Sequence, residues 1–391
     1  MIDTDHDVLT DAPLTPDLVH GAVELEPGPR GLQPHRLPAW ARAQNSDGQL
    51  AMSEAQPAGV RLVLRSQATA IELDALRTTL AYRGAPQRPD GVYDVVVDGA
   101  LTRQASVDGG DVLTLEMGAA SPEHQSGPIG TLRFDRLPPG DKTLEIWLPH
   151  NELTTLVALR ADAPVHAVVE SRRRWLHHGS SISQGSNATS PTATWTVRAA
   201  AVAGVSLVNL GFGGGALLDP FTARVMRDQP ADAISLELGI NLVNTDLMRL
   251  RALGPAVHGF LDTIRDGHPD TPLLVISPVL CPMHEDTPGP TAVDLSRLSE
   301  GRVLFRATGD PAETAAGKLT LDIVRTELAR IVAQRQAGDP HMHLLDGRTL
   351  YGAADAATLP LPDGLHPDTE THALMADRFA ELAFGPGAPL S

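Results

Sequence analysis

A single cysteine, Cys281, stands in 391 residues, so no internal disulfide can staple this chain and its stability must come from burying apolar surface. Aromatic residues are scarce at 4%. Basic residues are in deficit as well: 31 Lys and Arg face 48 Asp and Glu, for a formal net charge of −17. A chain this acidic repels phosphate backbones and anionic lipid surfaces, which argues against nucleic acid and membrane as partners. No apolar run approaches the roughly 20 residues that a spanning helix needs. The opening Met1-Ile2-Asp3-Thr4-Asp5-His6-Asp7 has neither the basic patch nor the apolar stretch of a secretory leader. With the lone thiol, this makes a cytoplasmic location the expectation.

What is present describes an ordinary globular protein, 42% hydrophobic and 20% charged, with a length that favours two domains. Residues 1–55 are rich in Pro, Asp and Gln with little periodicity and read as an irregular amino-terminal arm, with a short strand at Gly21-Ala22-Val23-Glu24-Leu25. Residues 56–168 have β texture. Val60, Leu62 and Leu64 alternate with Arg61, Val63 and Arg65, and the same period recurs at Ile71 and Leu73, at Tyr93, Val95 and Val97, and at Leu144, Ile146 and Leu148. Turn-forming stretches such as Pro89-Asp90-Gly91, Asp108-Gly109-Gly110 and Pro138-Pro139-Gly140-Asp141 separate the runs. This spacing predicts an all-β sandwich, jelly-roll-like, as an accessory domain.

Residues 169–391 change texture. Strand-like runs at Trp175-Leu176-His177-His178, Ser206 to Leu210, Ala233 to Leu238, Pro272 to Ile276 and Met342 to Leu345 are separated by helical spacing such as Leu321, Val324, Leu328 and Ile331. Asp368 is placed to cap a last helix with Leu374, Met375, Phe379 and Leu382 on one side. The expected fold class is therefore α/β, a three-layer α/β/α domain with a parallel sheet. Ligands of such sheets gather at the carboxyl ends of the strands.

Four short blocks lie at or after those strand ends: Gly179-Ser180-Ser181-Ile182-Ser183, Gly211-Phe212-Gly213-Gly214-Gly215, Gly239-Ile240-Asn241 and Asp363-Gly364-Leu365-His366. Together they supply a serine nucleophile, backbone and amide donors for an oxyanion, and an Asp/His pair. His366 is the candidate base, and Asp363 the group that would orient its ring and stabilise the imidazolium. Gly364 permits the tight turn between them and Pro367 stiffens its exit. Each block alone has a plainer reading. A Gly-Ser-Ser turn is common, the glycine run serves as flexible turn, Asn241 caps a helix, and Asp363 with His366 forms an ordinary Asx turn. A phosphate loop is disfavoured because the Gly-Lys-Ser/Thr ending is missing.

The blocks in this order resemble the SGNH (GDSL) hydrolase superfamily over about residues 172–386. The resemblance implies Ser181, Asp363 and His366 as catalytic residues, and Ser181, Gly214 and Asn241 as the oxyanion hole. Two positions depart from the family pattern: Ser180 and Leu242 stand where the family often has Asp. An α/β-hydrolase elbow is disfavoured, since Ser183 occupies the last position of its Gly-x-Ser-x-Gly pattern. No cofactor is expected. No metal is expected either, because His177 and His178 lack a spaced ligand set. Cys281, His284 and Glu285 receive no catalytic role. They open a segment, 281–318, too long for an ordinary connection and suited to cap the pocket.

The expected function is a cofactor-independent serine esterase acting on short acyl esters, acetyl first, of an oligosaccharide or small molecule. The acetyl-sugar class is implied by similarity to two-domain carbohydrate esterases that carry an amino-terminal β-sandwich. The alternatives are a lipid or aryl esterase or an acyltransferase of the same fold, and, from another class, a catalytically inactive glycan-binding protein.

Overall fold

The computed structural model describes residues 9–83, 88–115, 122–294 and 303–391; Met1 to Asp7 and residues 295–302 of the expected cap lie outside the described residues. The chain divides into two compact units, one formed by residues 1–36, 55–171 and 190–192, the other by 37–54, 172–189 and 193–391.

The first unit is a pair of facing sheets. Strands Arg61–Ser66, Tyr93–Val97 and Lys142–Trp147 are central to one, and Ile71–Tyr82 and Leu153–Ala161 to the other. Their inward residues, including Leu62, Leu64, Ile71, Leu73, Tyr93, Val95, Leu144, Ile146 and Leu156, share one apolar core. The expected alternation is therefore present, with two differences. The pairing of Ile71–Tyr82 with Asp111–Leu115 is parallel. Arg61, on the polar side of its strand, is only 1% exposed because its guanidinium lies 4.6 Å over the Trp147 ring directly across the ladder.

The amino-terminal segment is not an irregular arm. Thr10–Ala12 pairs with Leu153–Ala161, Val19–His20 with Arg61–Ser66, and Glu24–Gly28 forms a hairpin with Gly31–His35. The strand expected at 21–25 begins instead at Glu24. These strands are too short, and too interrupted by Pro27 and Pro34, to show a period. They exist because a sheet edge supplies partners for their backbone groups. Residues 37–54, which include most of the helix Gly48–Ala55, belong to the second unit.

The second unit carries a five-stranded parallel sheet: Arg174–Gly179, Ser206–Gly211, Ala233–Glu237, Leu273–Ile276 and Met342–Leu345. The spatial order is second, first, third, fourth, fifth. The third and fourth strands are buried along their whole length, as a sheet covered by helices on both faces requires. On one face, Trp175 stacks on Phe379 of the last helix at 5.2 Å and meets Trp195 at 6.1 Å. On the other, His178 stacks on Phe260 of the helix Leu250–Gly267 at 5.7 Å. The last helix, Thr369–Phe384, is capped by Asp368 as expected; it buries Met375, Ala376, Phe379 and Ala383, while Leu382 faces solvent.

Candidate active site

Ser181 opens the four-residue helix Ser181–Gln184 directly after the first strand. Ser180 caps that helix, its hydroxyl accepting from Ile182 N at 3.2 Å. Gly179 has a packing reason to be glycine, since a Cβ there would run into Ser183 Oγ and stand 2.8 Å from Glu237 Oε2. The last block forms the turn the sequence predicts, with Gly364 at φ +83°.

Ser181 Oγ–H donates to His366 Nε2 at 2.9 Å, and His366 Nδ1–H donates to Asp363 Oδ2 at 2.8 Å. One tautomer satisfies both bonds. Asp363 Oδ1 accepts from the backbone N–H of Leu365 and His366 at 2.9 and 2.7 Å. Burial pushes this carboxyl up, but the His366 bond and the two backbone donors outweigh it and hold Asp363 below the ordinary carboxylate range.

The donor blocks meet the same strand ends. A Cβ added at Gly213 would stand 3.6 Å from Ser181 Cβ, which puts the glycine loop beside the serine. Asn241 sits on the short helix after the third strand, and its Oδ1 accepts from Ala216 N at 3.1 Å. With the oxygen accepting, the Nδ2 end is the donor side of this amide. Ser181, Gly214, Asn241, Asp363 and His366 thus gather at one edge of the sheet, as the sequence reading expects.

Beneath the serine lies a buried polar chain that sequence reasoning missed. Trp175 Nε1–H donates to Ser235 Oγ at 2.8 Å, Ser235 Oγ–H to His177 Nδ1 at 2.7 Å, His177 Nε2–H to Ser183 Oγ at 2.7 Å, and Ser183 Oγ–H to Glu237 Oε2 at 3.1 Å. Glu237 Oε2 also receives the N–H and hydroxyl of Ser180 at 2.8 and 2.7 Å. The family's frequent acid before the nucleophile is absent here, and the carboxylate reaches Ser180 from the neighbouring strand. Burial raises the Glu237 carboxyl despite these donors, and burial drives the His177 imidazole down to about 3, so it is neutral. The signal for Glu237 was an acid inside the apolar run Ala233 to Leu238. His178 faces away, bonding Leu210 O at 2.7 Å. Leu242, the other departure, is core at 1% exposure.

Two further segments reach the site. Gln49, from the stretch expected to be irregular, donates through Nε2 to Gly213 O at 2.8 Å, and its Cγ would lie 3.0 Å from a Cβ at Gly214. Within 281–318, Phe305 N donates to Asp363 O at 2.9 Å and the Phe305 ring stands edge-on to His366 at 5.6 Å. Cys281 Sγ–H donates to Gly364 O at 3.6 Å, while Glu285 pairs with Arg325 and His284 bonds Thr287 O and Thr291 Oγ1. Their partners give these residues positional work. Among the described residues, no cluster of three or more His, Cys, Asp or Glu is arranged to hold a metal ion, and no helix is long and apolar enough to cross a membrane.

Residues 172–281 match the model of the GDSL-like Lipase/Acylhydrolase family. No curated protein sequence matches the chain. Among solved structures the chain is similar to the salicylyl-acyltransferase SsfX3 from a tetracycline biosynthetic pathway, at 27% identity over 95% of each chain with a TM-score of 0.75. It is also similar to a GDSL-like lipase from Bacteroides ovatus, at 16% identity over 95% of this chain and 96% of that one, TM-score 0.63. A family two carbohydrate esterase from Clostridium thermocellum, in complex with cellohexaose, shares the fold at 15% identity over 83% and 91%, TM-score 0.55. With a segment that matches the GDSL-like family, a parallel sheet and a Ser-His-Asp relay, the carboxy-terminal unit is similar to GDSL-like hydrolases of the SGNH type, and these findings support an esterase-class enzyme with a strand-rich amino-terminal unit in the same chain.

Proposed function

We propose that the protein is a serine esterase that forms an acyl-enzyme on Ser181 and releases a short acyl group, acetyl first, from an ester of a carbohydrate or small metabolite. The observation that carries this reading is the continuous relay from Ser181 Oγ through His366 to Asp363, at 2.9 and 2.8 Å. As Ser181 Oγ attacks the ester carbonyl, His366 Nε2 takes its proton and Asp363 stabilises the resulting imidazolium. The carbonyl oxygen becomes an oxyanion held by the N–H groups of Ser181 and Gly214 and the amide of Asn241. Collapse of this intermediate breaks the C–O bond, and His366 returns the proton to the leaving alcohol. Water, deprotonated by His366, then attacks the acyl-enzyme and frees the acid. The strand-rich unit carries none of these residues and is assigned the accessory role. The carbohydrate class is supported by the shared fold with carbohydrate esterases.

A second reading is favoured by one observation: the neighbour with 27% identity over 95% of both chains is an acyltransferase. In that case a second alcohol replaces water in deacylation. The test is hydrolysis of p-nitrophenyl acetate, butyrate and octanoate by the parent, Ser181→Ala and His366→Ala, with product analysis in the presence of added alcohols. Turnover lost in both variants supports the serine mechanism, and ester formation with an acceptor alcohol selects transfer. Turnover that survives Ser181→Ala would sink the proposal.

A further inference from the structure

We infer that Asn187 is a positioning residue of the acyl-transfer centre, its side-chain amide holding the Asp363 carboxylate, and through it the imidazole, in register with Ser181. The inference rests on the triad reading above and deepens it. Asn187 Nδ2–H donates to Asp363 Oδ2 at 3.1 Å, the same oxygen that receives the His366 ring. Since Oδ1 is held by two backbone N–H groups, this bond completes a set of four around one carboxylate. An amide donor is suited to that place. It fixes the carboxylate plane without adding a positive charge that would compete with the imidazolium.

The backbone explains how Asn187 comes to be there. Ser181 O accepts from Gly185 N and Ser186 N, both at 3.0 Å, so the chain leaves the serine helix in a tight turn. Asn187 follows at φ +66°, a left-handed conformation that Asn tolerates better than most residues with a Cβ. The same loop is fastened on both sides of Asn187: His372 Nε2–H donates to Ser186 O at 3.0 Å, and Thr189 N donates to Thr369 Oγ1 at 2.9 Å. Three bonds therefore tie the loop leaving Ser181 to the segment that carries Asp363 and His366. The Asn187-Ala188-Thr189 sequon, which the proposed chemistry leaves unused, has its amide committed to the carboxylate.

Of the other titratable groups, Cys281 lies within electrostatic reach of Asp363, as of Glu285 and Arg325, His372 lies within reach of His366 and Asp368, and the Phe305 ring stands edge-on to His366. Among the described residues, His366 and Asn187 are the side chains that donate to Asp363 Oδ2.

Asn187 is exposed, so its variants are expected to fold. The rate of fluorophosphonate labelling at Ser181 is followed from acid to neutral pH for the parent, Asn187→Gly and Asn187→Asp, with kcat/KM for a p-nitrophenyl ester alongside. Labelling reads the attack step whatever the natural substrate is. Asn187→Gly, which keeps the left-handed backbone, is expected to lose about tenfold in rate with the acid limb unmoved, as for a lost bond to a charged group. Asn187→Asp is expected to move the acid limb to higher pH, because a second carboxylate beside the imidazole favours its protonated, non-basic form. Parental rates in Asn187→Gly, or an unmoved acid limb in Asn187→Asp, would overturn the inference while the triad reading stands. A parent that neither labels nor turns over ester removes the triad reading and this inference with it.

Discussion

Glu237 offers the most demanding test of the buried chain beneath Ser181. Replacing it with alanine removes the acceptor of three donors: Ser180 N–H, Ser180 Oγ–H and Ser183 Oγ–H. The hydroxyls can rotate toward other acceptors, but the backbone N–H cannot, and an unsatisfied buried donor costs about 1–3 kcal/mol. With the cavity left by the side chain, Glu237→Ala is expected to destabilise the hydrolase unit by about 3–4 kcal/mol. Glu237→Gln keeps an oxygen for the same donors and is expected to stay within about 1 kcal/mol of the parent at neutral pH. The pH dependence has a definite sign. Burial raises the Glu237 carboxyl in the folded state, so its favourable contribution is full below the unfolded pKa and is lost as pH rises through the folded value. The glutamine variant lacks that loss, and its stability relative to the parent should therefore rise from acid to neutral pH. Urea unfolding followed by tryptophan fluorescence measures this, since Trp175 donates into the chain and Trp195 packs 5.0 Å from His177. With two units in the chain, the transition that carries these fluorophores is the one compared. An alanine variant within about 1 kcal/mol of the parent, or a glutamine variant as unstable as alanine, would refute the reasoning.

Three further outcomes are expected. On the proposed oxyanion role, which acts on the transition state and not on the ground state, Asn241→Ala should lower kcat for a p-nitrophenyl ester by roughly 10²–10³ with little change in KM. Gln49→Ala should lower kcat about fivefold by loosening the Gly213 carbonyl, and its effect should be non-additive with Asn241→Ala in a double-mutant cycle, since both act on one oxyanion loop. Cys281 should resist Ellman's reagent at neutral pH in the native state and react fully on denaturation: burial, with the Glu285 charge beside it, pushes its thiol up to about 12, and the thiolate is the reactive form.

Where side-chain period and turn chemistry act locally, the sequence was legible. The five parallel strands fall on the runs that begin at Trp175, Ser206, Ala233, Pro272 and Met342, because a doubly covered sheet demands continuous apolar stretches. The Asp363 to His366 turn was readable because a tight turn with a glycine at positive φ leaves a local mark. Of residues 10–35 only a strand near 21–25 was readable: Thr10–Ala12 and Gly31–His35 pair with a strand more than a hundred residues away, and Val19–His20 with one about forty residues away. Gln49 gave no signal at all. It matters through one carbonyl 164 positions further along the chain.

The sequence by itself determined the chemistry available to this protein: a serine after a strand, an amide and a glycine loop after two others, and an Asp/His pair near the end. Their order along an alternating strand and helix pattern dictates that they share a sheet edge. Only the tertiary structure decided what holds them there. Glu237 reaches Ser180 from the adjacent strand, Gln49 braces the glycine loop, and Asn187 completes the set of donors around Asp363. The physical reason is that periodicity reports which face of an element is buried, whereas a hydrogen bond needs two atoms placed within about 3 Å by the packing of separate elements.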